Sequence, residues 1–164
     1  MLQQPNLEKK ENRTGILGRL TFRSVESREA EKDLEYLAED YEAMSRIAAN
    51  LSSHARWIPY PFLRDRIRSL AEEVRALSES IRANILSLGG KVPQVALENR
   101  DVLEFRQNVM RLVRDMEEHS NQSEIFVHQK NKIENKDVVK MIDHIILRMQ
   151  VQKEELMDIV MRLS

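Results

Sequence analysis

The sequence predicts an all-α protein folded as an antiparallel four-helix bundle. Three observations lead there. Apolar residues recur at alternating steps of three and four along four long segments, the spacing that puts them on one face of a packed helix. No Gly or Pro interrupts any of the four. The composition agrees: 164 residues hold four Gly, four Pro and no Cys, with 32% charged and 5% aromatic side chains. So few turn residues exclude a sheet-rich or glycine-looped fold, and helices of this length suit a bundle.

The first segment runs from about Ser27 to Trp57 along Leu34, Leu37, Tyr41, Met44, Ala48, Leu51 and Ala55. Ser27 precedes a turn containing acids, a plausible helix start, and Pro59 and Pro61 end the segment because proline lacks a donor and clashes with the preceding turn. The second begins at Pro61, a favoured first-turn residue, and follows Ile67, Leu70, Val74, Leu77, Ile81, Ile85 and Leu88 to the stop at Gly89-Gly90. The third occupies about Leu97 to Lys130, with Val102, Phe105, Val109, Leu112, Met116, His119, Ser123 and Phe126 inward; its lower half is polar. The fourth runs from about Asn135 to Leu163 along Val138, Ile142, Ile145, Met149, Leu156, Ile159 and Leu163, interrupted by Gln152 and Lys153. The link between the second and third is the longest.

Residues 28–164 are thus the expected bundle domain, and residues 1–27 a poorly structured tail. Within the tail Gly15–Phe22, GILGRLTF, is a small apolar island. It either packs on its own bundle or docks on a partner.

Charge and motifs narrow the function classes. The 26 basic and 27 acidic residues balance to a net charge of −1, without the basic surplus of a nucleic-acid binder. No stretch approaches the ~20 apolar residues of a membrane span, and MLQQPNLEKKENRTG has no apolar signal core, so neither membrane nor nucleic acid is an expected partner and a cytoplasmic location is expected. The absence of Cys removes disulfides, iron–sulfur clusters, thiolate zinc sites and cysteine nucleophiles. Phosphate-loop, dinucleotide-fingerprint and nucleophile-elbow motifs are absent. None of His54, His119, His128 and His144 has a second His four residues on, the pairing that makes a metal site on one helix face.

Two stretches suggest a family. Ala49-Asn-Leu-Ser-Ser-His-Ala-Arg-Trp57, together with Ser69–Leu77 and Ile85-Leu-Ser-Leu-Gly-Gly-Lys-Val-Pro93, resembles the ferritin-like superfamily, especially its bacterioferritin and rubrerythrin branch; Ile146-Leu-Arg148 is similar to the same family. The resemblance covers about residues 29–163. It implies a bundle that, in active members, holds two iron ions between carboxylates and imidazoles: one Glu from each of two helices and Glu-x-x-His from each of the other two. Hard cations take such ligands, and several inward carboxylates share a dry core only when cations neutralise them.

Carried onto this sequence, that pattern fails at five of six positions. Met44 stands at the first-helix Glu, Val74 and Leu77 at the second-helix pair, and Gln150 and Lys153 at the fourth-helix pair; Glu117 alone matches. Met44, Val74 and Leu77 also lie on the apolar seams. The remaining polar residues Glu117, His119, Ser123, Gln150 and Lys153 form a candidate cluster, either for a metal or small ligand or for a structural Glu117–Lys153 pair. The leading expectation is a non-catalytic ferritin-like bundle without cofactor, a structural or interaction module that forms a homo-oligomer through its first two helices or serves as an accessory subunit. The alternative is a divergent iron oxidase with a rearranged site of Glu42, Glu73, Glu117 and His119.

Overall fold

A computed structural model describes the backbone of residues 14–97 and 105–164 and the side chains of residues 28–97 and 108–164. Four helices form: α1 (Thr14–Ala55), α2 (Pro61–Ser87), α3 (Phe105–Lys130) and α4 (Lys136–Leu163). The chain is all-α, a four-helix bundle.

Local chemistry sets the boundaries. After Ala55 the backbone N–H groups of Arg56, Trp57 and Ile58 turn back onto the carbonyls of Ser53, His54 and Ala55 at 3.3, 3.1 and 3.2 Å, a tightened final turn. Tyr60 is extended and Pro61 opens α2. At the far end of α2, Gly89 takes φ +76°, its N–H reaches the Leu86 carbonyl at 3.0 Å and the Gly90 N–H reaches Ile85 at 2.9 Å; these two bonds satisfy carbonyls that the helix end would leave bare. Asn135 caps α4, its side chain accepting from the Asp137 and Val138 N–H groups at 3.0 and 3.2 Å.

The first helix begins at Thr14, ahead of the start expected at Ser27, so Gly15–Phe22 belongs to α1. An isolated glycine costs a helix only about 1 kcal/mol, too little for Gly15 or Gly18 to stop it. The docking-peptide reading falls on side chains outside the described residues.

Cross-helix bonds give the topology. Between α1 and α3 the pairs Asp40–Gln122, Arg46–Glu118 and His54–Asp115 run in opposite sequence directions. Between α2 and α4 the pairs Arg66–Glu155, Glu73–Arg148 and Asn84–Met141 do the same. Neighbours around the square are α1–α2, α2–α4, α4–α3 and α3–α1. The order is up-down-down-up: α2 and α3 are parallel and diagonally opposed. Their connection has to run the length of the bundle, and its described part, through Leu97, lies over the α1–α2 face, where Val95 and Leu97 meet Tyr41, Ser45 and Ser78 around a cavity of about 240 Å³.

The seams of α2 and α4 pack as predicted: Ile67, Leu70, Val74, Leu77, Ile81 and Ile85 of α2 are buried, as are Val138, Ile142, Ile145, Met149, Leu156, Ile159 and Leu163 of α4. In α1 the buried line includes Leu37, Met44, Ala48, Leu51 and Ala55, with Ile47 added. The third helix differs. Its buried residues are Asn108, Leu112, Asp115, His119, Gln122, Phe126 and Gln129, while the expected Val109, Met116 and Ser123 are half-buried. The helix is turned toward α1 by polar partners there, Asp40 and His54, which an apolar-seam reading ignores.

Candidate functional site

Polar chemistry inside the bundle gathers in two places. The first is the middle of the core, where the four helices face one another. Met44, Val74 and Met149 are fully buried there and Leu77 nearly so. Among them His119, also fully buried, donates from Nε2 to Gln152 Oε1 at 3.0 Å. Gln152 Nε2 donates in turn to Glu73 Oε2 at 3.3 Å, and Arg148 Nη2 donates to that same oxygen at 2.7 Å. A carboxylate only accepts, so Glu73 fixes the direction of the chain: the Gln152 amide must turn its NH₂ to Glu73 and its oxygen to His119, which leaves the His119 proton on Nε2. His119 Nδ1 is then an acceptor with no partner. Burial pushes the His119 pKa below its ordinary 6.5, opposed by the Gln152 bond and reinforced by the Lys153 charge. The imidazole is neutral at physiological pH, held by a hydrogen-bonded chain from core to surface.

The second place is the seam between α1 and α3. Its buried polar residues repeat every seven positions: Asn108, Asp115, Gln122 and Gln129 on α3, and Asp33, Asp40 and, two heptads on, His54 on α1. His54 Nδ1 pairs with Asp115 Oδ2, both out of contact with solvent. Gln122 Nε2 donates to Asp40 Oδ1 at 2.8 Å, while Asp40 Oδ2 and Gln129 Oε1 have no partner. Burial raises the Asp40 pKa to about 7, against the lowering effect of the Gln129 and Gln122 amides and with a small push from Glu39. Burial likewise raises Asp33, countered by backbone N–H groups of Asn135 and Glu134 at the α3–α4 turn. Arg46 and Glu118, at 3.2 Å, cover the rim.

The sequence-predicted candidates do not come together. Glu117 is exposed, Glu42 is half-buried, and Glu73 is half-buried with its charge met by Arg148. Only His119 of the four points into the core. Gln150 and Lys153 face solvent, so neither a Glu117–Lys153 pair nor the expected polar cluster forms in the core. The inward pair at that level of α4 is Met149 and Gln152, one residue before the assigned positions. The resemblance at Ile146–Arg148 points to positions one residue off the buried line Ile142, Ile145, Met149, Gln152, Leu156. The residues of this layer do not fit a pair of iron ions: Met44, Val74, Leu77 and Met149 line it with thioethers and alkyl groups. Among the described residues no three His, Asp or Glu side chains converge as a metal site would require.

The α1–α3 heptads were the residues that apolar periodicity missed. Their signal was the polar repeat itself, 108, 115, 122, 129, visible once polar residues are tested for period seven.

No family model matches the chain, and none of the curated proteins matches it. A crystal structure of a protein from Xanthomonas campestris pv. campestris is similar in fold, with a TM-score of 0.72 and 14% identity over 83% of this chain and 92% of that one. At that identity the likeness shows the fold alone.

Proposed function

We propose that this chain is a non-catalytic bundle of the ferritin-like type, acting as a structural or protein-interaction module. The observation that carries the reading is the apolar filling of the mid-bundle layer by Met44, Val74, Leu77 and Met149, where a redox centre would need carboxylates and imidazoles. Glu73, the acid nearest that layer on α2, is already matched to Arg148 and Gln152. The up-down-down-up order with one long connection supports the ferritin-like assignment, since that connectivity distinguishes such folds from simple up-down bundles. The module forms a homo-oligomer along α1 and α2 or stands as an accessory subunit.

Iron titration of the purified chain tests this. The expected result is no saturable uptake and no oxidation of ferrous iron. Stoichiometric binding of an iron pair with turnover would overturn it and restore the oxidase reading built on Glu42, Glu73, Glu117 and His119. Sedimentation equilibrium separates the two forms of the proposal: a self-associating chain is an oligomer, and a monomer is an accessory subunit.

A further inference from the structure

The turn between α1 and α2 carries three aromatic side chains within six residues, and all three face solvent: Trp57 is 39% exposed, Tyr60 54% and Phe62 67%. They are not a loose loop. Ile58 and Leu63, interleaved with them, are buried in the core, and Pro59 and Pro61 restrict the backbone between. The rings are thus held outward on a fixed platform, which lowers the ordering cost of binding.

The surrounding charge is one-sided. Between positions 56 and 68 four arginines, Arg56, Arg64, Arg66 and Arg68, stand against one acid, Asp65. Asp65 lies between Arg64 at 3.8 Å and Arg68 at 3.6 Å and neutralises only one of them; Arg66 is matched by Glu155 of α4. In a chain of net charge −1 this segment is locally cationic. The cation used is arginine throughout, with no lysine between Lys32 and Lys91. Trp, Tyr, Phe and Arg with Lys excluded is the composition of protein–protein contact centres, where planar guanidinium groups and rings bind at low entropic cost. An anionic membrane or a nucleic-acid backbone would be served as well by lysine. The positive excess also disfavours two copies meeting tip to tip.

We propose that the α1–α2 turn is a docking tip for an acidic, apolar segment of another protein. The inference rests on the interaction-module reading and supplies its surface and the chemistry of its partner: leucine- or phenylalanine-like groups against the three rings, carboxylates against the arginines.

Trp57 is the only tryptophan of the chain, so its fluorescence reports on the tip directly. The probes are two synthetic amphipathic helical peptides with the same leucine pattern, one carrying Glu and the other Lys at its polar positions. The Glu peptide is expected to shift Trp57 emission to the blue, to bind about tenfold or more tighter than the Lys peptide, and to weaken as salt rises from about 50 to 300 mM. The double variant Tyr60→Ser/Phe62→Ser is expected to abolish the shift with an unchanged melting temperature, because both side chains are exposed and serine is a favoured residue at the Tyr60 helix-capping position. No shift, or equal affinity for the two peptides, overturns the proposal. So does stronger binding to phosphatidylglycerol vesicles or to a single-stranded oligonucleotide than to the Glu peptide, which would reassign the tip to a lipid or nucleic-acid surface. Iron turnover would sink the module reading whatever the peptides do, so the two failures are distinct.

Discussion

Asp40 and His119 are buried titratable groups displaced in opposite senses, and each leaves a signature in stability. Folded, Asp40 keeps its proton up to about pH 7; unfolded, it loses it near 3.8. Between those values the folded chain binds the extra proton, so Asp40 makes stability fall as pH rises through the window and adds no slope above it. His119 is neutral when folded yet protonates below its ordinary 6.5 when unfolded, so it makes stability fall as pH drops below about 6.5. Just below pH 6.5 the two slopes oppose each other. Asp40→Asn removes the first. Measured by urea unfolding, the gain of the variant over the parent is expected to be near zero at pH 4 and to grow to roughly 3–4 kcal/mol above pH 7, since each pH unit of displacement is worth about 1.4 kcal/mol. A gain that does not change with pH would show that Asp40 ionises freely in the folded chain. His119→Leu removes the second slope: its stability relative to the parent is expected to rise as pH falls below 6.5, and a flat difference would show that His119 protonates in place. At neutral pH the same variant also strands the Gln152 oxygen, a cost of about 1–3 kcal/mol.

Among the elements, α2 and α4 were legible in the sequence and α3 only in part: Leu112, His119 and Phe126 are buried as expected. The seams of the first two are apolar at every third or fourth position except Gln152, so hydrophobic periodicity and burial point to the same face. In α3 the apolar residues Val109 and Met116 sit one position beyond the buried Asn108 and Asp115, so apolar periodicity alone turns the face away from its buried polar members. The winning force is the need of buried polar groups on α1 for partners. The candidate site shows the same division. Met44, Val74 and Leu77 are buried because they lie on aliphatic seams; Glu117, Gln150 and Lys153, taken from the family resemblance rather than from a seam, are exposed. The polar seam makes its own prediction. At about pH 4, where removing the Asp40 ionisation gains nothing, replacing Asp40 alone by Leu strands the Gln122 donor and is expected to destabilise by about 1–3 kcal/mol. Replacing Asp40, Gln122 and Gln129 together by Leu removes the buried polar atoms as a set and is expected to raise stability above the parent by about 1–4 kcal/mol, as apolar substitution of buried polar networks does. Thermal denaturation of the single and triple variants checks the inversion; a triple variant weaker than the single one would mean that the polar repeat is a net stabiliser.

For the whole molecule, the apolar core is unevenly shared. Among the described residues α1, α2 and α4 each bury a line of apolar side chains, while α3 contributes Leu112 and Phe126 and otherwise buries three amides, one carboxyl group and a neutral imidazole. The contact between α1 and α2 is the most extensive in the bundle. Hydrophobic burial is the main favourable term in folding, and hydrogen bonds contribute little net, so an element attached mainly by polar pairs has the smallest free energy of local opening. The chain around α3 permits such opening: one end continues into the long connection from α2, the other into a short turn to α4. Native-state hydrogen exchange is therefore expected to divide the bundle. Amides of α2 and of α1 from Leu37 to Ala55 should exchange only through global unfolding, with a denaturant dependence matching the full transition. Amides of α3 from Leu112 to Gln129 should exchange through a smaller opening with weaker denaturant dependence and lower protection. The triple leucine variant of the seam should bring α3 up to the protection of α2, because it replaces polar attachment by burial. Uniform protection across all four helices in the parent chain would show that the polar seam holds α3 as firmly as the aliphatic seams hold its neighbours.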